Sequence, residues 1–166
     1  MPTGEQLATS PATSRRMAKQ RTRDTRPELA VRRELHRRGL RYRVQRPVLS
    51  GIRRKADIVF GPSRVAVFVH GCFWHGCPEH MTWPKSNHEF WRNKIERNME
   101  RDRETIELLR SESWEAVVIW EHENPIDAAD RVFELVEKRR SDYLPRKTAD
   151  LGDNPTGRGR SDRCQR

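Results

Sequence analysis

Residues 40–48, LRYRVQRPV, alternate apolar and polar side chains, the period of a strand with one face buried. KADIVF at 55–60 and RVAVFVH at 64–70, separated by Gly61-Pro62-Ser63, predict two more strands joined by a tight turn. The second is apolar enough to be central. Before them, TRPELAVRRELHRRG opens with Thr25 and carries Glu28 three residues on, the pattern of a capping box, and closes at Gly39 with basic residues in its last turn. This predicts a helix. In HEFWRNKIERNMERDRETIELLR, apolar residues at 91, 95, 99, 106 and 109 recur near helical spacing and predict a long, charged helix. WEAVVIWE reads as a further strand, and IDAADRVFELVEKRR, after Asn124-Pro125, as a closing helix. The order is helix, three or four strands, long helix, strand, helix. That predicts a single α/β domain with a central mixed β-sheet flanked by helices.

The 166 residues suit one domain. Residues 1–20 and 145–166 lack apolar periodicity, so a flexible basic N-terminal arm, a core over 21–144 and a disordered basic tail are expected. A formal charge of +10 and a pI near 10.3 point to a polyanionic partner, because a basic surface gains affinity by displacing counterions from phosphates. No window approaches the roughly 18 apolar residues of a membrane span, and the N-terminus has no signal-peptide core. A soluble, intracellular protein without membrane partners is expected.

Candidate chemistry concentrates in two places. Asp57 is the only carboxylate in KADIVF, and a charge among buried neighbours must be paired or bind a cation. It is either a solvent-facing residue of an edge strand or a ligand for magnesium, which prefers oxygen. Glu28 is accounted for by capping, yet capping leaves it free to face the same site. VHGCFWHGCPEH at 69–80 is the second place. Cys72, Cys77, His80 and the distant His122 form either a Cys2His2 structural zinc site or two reduced core cysteines beside surface histidines. His75 suits a general base, and Phe73, Trp74 and Trp91 are either core or a wedge between base steps.

Together these residues closely resemble the very-short-patch-repair (Vsr) DNA mismatch endonucleases, through RDTRPELAVRREL, ADIVF, VFVHGCFWH, EFWRNKIERNMERD and VVIWE, in order across roughly residues 15–123. The resemblance implies a restriction-endonuclease-like fold and an enzyme that nicks duplex DNA 5′ to the thymine of a T:G mismatch, leaving a 5′-phosphate and starting repair of deaminated 5-methylcytosine. It implies magnesium on Asp57 and the Val69 carbonyl, His75 activating water, and Glu28 near the metal. His70 and Asp102 match a supporting hydrogen-bonded pair. Phe73, Trp74 and Trp91 match intercalating aromatics, and Lys94 and Asn98, on the same helix as Trp91, are expected to contact DNA. Zinc would be structural, on Cys72, Cys77, His80 and His122. Val69 stands where the family often has threonine, and the mix of zinc ligands differs from that of the best-known members. The expected protein is a monomer of the cytoplasm and nucleoid, working with repair proteins and an associated cytosine methyltransferase. A zinc-stabilised DNA-binding protein without activity, and a restriction-like nuclease for undamaged or foreign DNA, are the competing readings.

Overall fold

A computed structural model describes residues 23–51, 53–84 and 87–143; the arm expected at 1–20 and the tail expected at 145–166 lie outside them. Helix α1 (Arg26–Arg37) is followed by strands β1 (Arg43–Pro47), β2 (Lys55–Phe60) and β3 (Val65–His70), helix α2 (His88–Ser111), strand β4 (Glu115–Trp120) and helix α3 (Pro125–Tyr143). Three strands therefore precede the long helix. The sheet runs β1-β2-β3-β4, antiparallel up to β3 and parallel between β3 and β4. The mixed sheet expected from the patterning is present, and β3 is central as its apolar run requires.

Helix α1 begins as a capping box. The Thr25 hydroxyl oxygen receives the Glu28 N–H at 3.5 Å, and the Glu28 carboxylate reaches back past the cap to the Asp24 N–H at 3.1 Å. Its far end is a Schellman closure: the Leu40 N–H donates to Leu35 O and the Gly39 N–H to His36 O, with Gly39 at φ +78°. Leu40 thus serves the helix and the core rather than opening the strand, which is why β1 starts at Arg43 and not at residue 40.

Two apolar cores sandwich the sheet. Val31 and Leu35 of α1 meet Val132 and Val136 of α3 over Ile58, Val65, Val67 and Ile119. On the other face, Leu109 of α2 covers Ala56, Val59 and Ala66. Ala56 and Ile58 are two apart yet join opposite cores, which an unbroken strand forbids. The chain of β2 therefore turns about its axis at Asp57. The β1–β2 ladder is interrupted there as well, with Val44 paired to Ile58 and Arg46 to Ala56, and Gln45 left opposite Asp57 at φ +51°. The irregularity sits where the chemistry was expected. Among the described residues no helix is long and apolar enough to cross a membrane.

Candidate active site and metal centre

The N-terminal end of α1, the start of β2, the end of β3, the following loop and one face of α2 enclose a cleft of about 660 Å³. Glu28, Asp57, Val69, His70, His75 and Asp102 all line it, and so do Lys55, Lys94 and Arg101. Asp57 is half-buried, and each of its oxygens accepts one neutral hydrogen bond. The Val69 N–H donates to Oδ2 at 2.8 Å and the Gln45 side-chain amide to Oδ1 at 2.7 Å. Burial, with the Glu28 charge adding, pushes its carboxyl above the usual range despite those two donors. A partly desolvated carboxylate with unneutralised charge and free lone pairs, beside a second carboxylate, suits a hard divalent cation. Asp57 lies on β2, an interior strand of the sheet, and not on an edge strand as the solvent-facing alternative required.

Glu28 differs in that its charge is already met. The Arg32 guanidinium donates to Oε2 at 2.9 Å and the Thr25 hydroxyl to Oε1 at 3.0 Å, while Arg32 also holds Asp24 at 2.5 Å. Glu28 and Arg32 are both buried. Capping and cleft lining are both true of Glu28, and Arg32 was not anticipated because it looked like one more charge on a basic helix.

After β3 the chain makes a tight turn, with the Trp74 and His75 N–H groups both donating to Gly71 O. Gly76 at φ +63° lets the loop approach α2 so closely that a Cβ there would lie 2.5 Å from Met99 Sδ. This seats His75 against Asp102, Nδ1 to Oδ2 at 2.5 Å. An ionised carboxylate only accepts, so Nδ1 carries the proton and Nε2 keeps its lone pair for the cleft. The expected His70–Asp102 pair is corrected here: the histidine bonded to Asp102 is His75. His70 instead stacks on His75, ring centroids 3.9 Å apart and 11° from parallel. Burial first, and then His75, push His70 down to about 4, so it is neutral at physiological pH. His70, His75 and Asp102 place ligating atoms within 4.8 Å of one another. Parallel stacked rings cannot both point in-plane lone pairs at one ion, so the geometry of this trio does not suit a metal shell. Asp102→Asn, which no longer fixes the His75 tautomer, is expected to slow DNA cutting by about 10²–10⁴-fold with DNA affinity retained. A loss under threefold in a single-turnover assay would contradict that role.

The metal centre lies at the other end of the same loop. Ligand atoms of Cys72, Cys77, His80 and His122 all fall within 4.8 Å of one another. His122 Nδ1 is 3.1 Å from Cys72 Sγ and 3.8 Å from Cys77 Sγ, and His80 Nδ1 is 3.9 Å from Cys77 Sγ. Bonds of about 2.3 Å to sulfur and 2.0–2.1 Å to nitrogen would separate S from N in a tetrahedron by about 3.5 Å, which these distances bracket. Burial, and then the Cys77 thiol beside it, push the Cys72 thiol up to about 11. A thiol in that environment gives up its proton when a cation is bound beside it. The donor set fits a metal, and the two-reduced-cysteines alternative leaves the convergent histidines without a purpose. Glu121, which the sequence did not single out, accepts the Cys72 N–H at 2.7 Å and lines the cleft, joining the two centres.

Phe73, Trp74 and Trp91 meet edge to face with centroids 5.1–5.9 Å apart, and Phe90 joins them at 5.3 Å from Trp91. Lys94 Nζ stands 5.1 Å from the Trp74 ring centre. Trp91 is buried and forms the base of this cluster. The Asn98 amide donates to Trp74 O at 3.0 Å, so it braces the aromatic loop rather than standing free.

The cleft sets the His75–Asp102 pair and the partly desolvated Asp57 beside Lys55, Lys94 and Arg101, an arrangement suited to phosphodiester hydrolysis. The family model described as DNA mismatch endonuclease Vsr matches residues 7–80. A type II nicking enzyme, V.NaeI of Lentzea aerocolonigenes, is 42% identical over 125 residues, 74% of this chain and 75% of that protein. V.XorIIP of Xanthomonas oryzae pv. oryzae, also a type II nicking enzyme, is 44% identical over 108 residues, covering 64% and 77%. DNA mismatch endonuclease Vsr of Escherichia coli K12 is 38% identical over 104 residues, covering 60% and 63%. The chain belongs to the Vsr family of DNA endonucleases.

Proposed function

We propose that this protein is a magnesium-dependent endonuclease that nicks duplex DNA 5′ to the thymine of a T:G mismatch and so starts very-short-patch repair of deaminated 5-methylcytosine. The observation that carries the reading is one cleft containing both Asp57, its charge unneutralised, and the oriented His75–Asp102 pair. Asp57 and the Val69 carbonyl would hold magnesium, which when bound supplies positive charge against the charge developing on the phosphate. His75 Nε2 takes a proton from water as its oxygen bonds to phosphorus in line with the departing 3′ oxygen. The P–O3′ bond breaks, the 3′ oxygen gains a proton from solvent, and a 5′-phosphate remains. Asp102 holds the resulting imidazolium. Cys72, Cys77, His80 and His122 hold a structural zinc that anchors the loop carrying His75. Phe73, Trp74 and Trp91 wedge into the base stack, offsetting its cost with new contacts. Lys94 meets the backbone, and Asn98 keeps the wedge in place.

The architecture is then restriction-endonuclease-like, and the protein acts as a cytoplasmic monomer at the nucleoid. A second reading keeps the chemistry and changes the target to undamaged or foreign DNA; two relatives are named type II nicking enzymes, with no mismatch in the name. With magnesium, a T:G heteroduplex is expected to be cut at least about 10²-fold faster than its homoduplex, in line with 1–3 kcal/mol from each of two or more discriminating contacts. Equal cutting supports the restriction-like enzyme. No cutting of either supports a DNA-binding protein without activity.

A further inference from the structure

Gln45 belongs to an alternating run and reads as an ordinary strand residue, yet it is where β1 departs from strand geometry. Its neighbours Val44 and Arg46 pair with Ile58 and Ala56, so the register sets Gln45 across from Asp57. At φ +51° its backbone occupies the left-handed region, which residues with a Cβ rarely adopt and which tends to persist at functional sites. The side chain uses that backbone to place Nε2 2.7 Å from Asp57 Oδ1.

The chemistry of the contact is selective. An ionised carboxylate accepts only, so the amide must present its NH2 group. From the strand on the other side of β2, the Val69 N–H takes Oδ2 at 2.8 Å. Two donors on opposite sides fix the plane of the carboxylate, and both are neutral. Glu28 shows the contrast, since a guanidinium there has cancelled the charge. Asp57 is held as firmly without being neutralised.

We propose that Gln45 is a positioning residue for Asp57: its left-handed backbone aims a neutral amide at Oδ1, orienting the carboxylate for a divalent cation while leaving its charge intact. The inference rests on the reading of Asp57 as the metal ligand. Gln45 touches neither DNA nor the reacting phosphate in this role.

Mn2+ binding to the full-length protein, followed by electron paramagnetic resonance, tests it with four proteins: wild type, Asp57→Ala, Gln45→Met and Gln45→Gly. Methionine keeps the length and loses the donor. Glycine loses the donor and relieves the backbone, so a residue of purely structural importance would be replaced by glycine without harm. Both Gln45 variants are expected to bind Mn2+ roughly 10–100-fold more weakly, the usual loss when a partner of a metal ligand is removed. Zinc content and thermal midpoint of Gln45→Gly should match or exceed wild type. Wild-type Mn2+ affinity in Gln45→Gly, alongside loss in Asp57→Ala, would overturn this inference alone. Equal binding by wild type and Asp57→Ala would overturn the metal reading and this inference with it.

Discussion

Asp57→Asn is expected to reduce nicking by about 10³–10⁴-fold while leaving a folded and slightly more stable protein. The loss corresponds to roughly 4–6 kcal/mol of transition-state stabilisation, the scale of a divalent cation acting on a phosphoryl oxygen. The gain in stability follows from the direction of the carboxyl shift. Burial raises the folded-state pKa of Asp57 above its unfolded value, so folding is relatively favoured while the group is protonated. The penalty is absent below the unfolded pKa, grows as pH rises, and is complete above the folded pKa. Asparagine carries no charge and escapes it. Its oxygen still accepts the Val69 N–H, and its amide can donate to a turned Gln45 carbonyl. Without added magnesium, the melting temperature of the variant should exceed wild type at pH 7.5, with the gap closing toward acid pH. A variant that melts lower at pH 7.5 would mean that Asp57 supports the fold, and its inactivity would then say nothing about metal.

Cys77→Ser is expected to lose the structural metal and to lower the melting temperature by about 10 °C or more. Such a site contributes folding energy outright, and several kcal/mol at roughly 2–4 °C per kcal/mol gives that shift for a chain of this length. Cys77 is buried, and the site it completes ties the loop after β3 to the turn that follows β4. Activity should fall with it although none of the four ligands lines the cleft, because the same loop carries His75 onto Asp102. Elemental analysis of the purified protein should give about one zinc per chain in wild type and a small fraction of that in the variant. Full metal content in Cys77→Ser would contradict the Cys2His2 assignment.

Most of the fold was legible because periodicity reports which faces are buried. β2 matches its predicted span of 55–60, and the long helix matches within one residue at each end. The site was legible residue by residue and less so in its pairings. His70 and His75 are five apart in one stretch, and no local pattern tells which of them meets Asp102. The answer depends on the turn at Gly71 and on the close approach at Gly76. His122 reaches Cys72, Cys77 and His80 because β3 and β4 run parallel in register, His70 beside Trp120, which brings the chain after each strand to the same edge. Gln45 and Arg32 were not recoverable. One is disguised as a polar strand position and the other as a helix surface charge, and only tertiary contacts reveal that each serves a carboxylate.

In the proposed reaction this cleft cuts one strand, at a mispaired thymine. A duplex with a single T:G pair and a different 5′ label on each strand tests it most directly. With magnesium, one cut is predicted in the thymine strand, immediately 5′ to the mispaired thymine, leaving a 5′-phosphate downstream and an intact guanine strand. Cutting of both strands, or equal cutting of the matched T:A control, would contradict it.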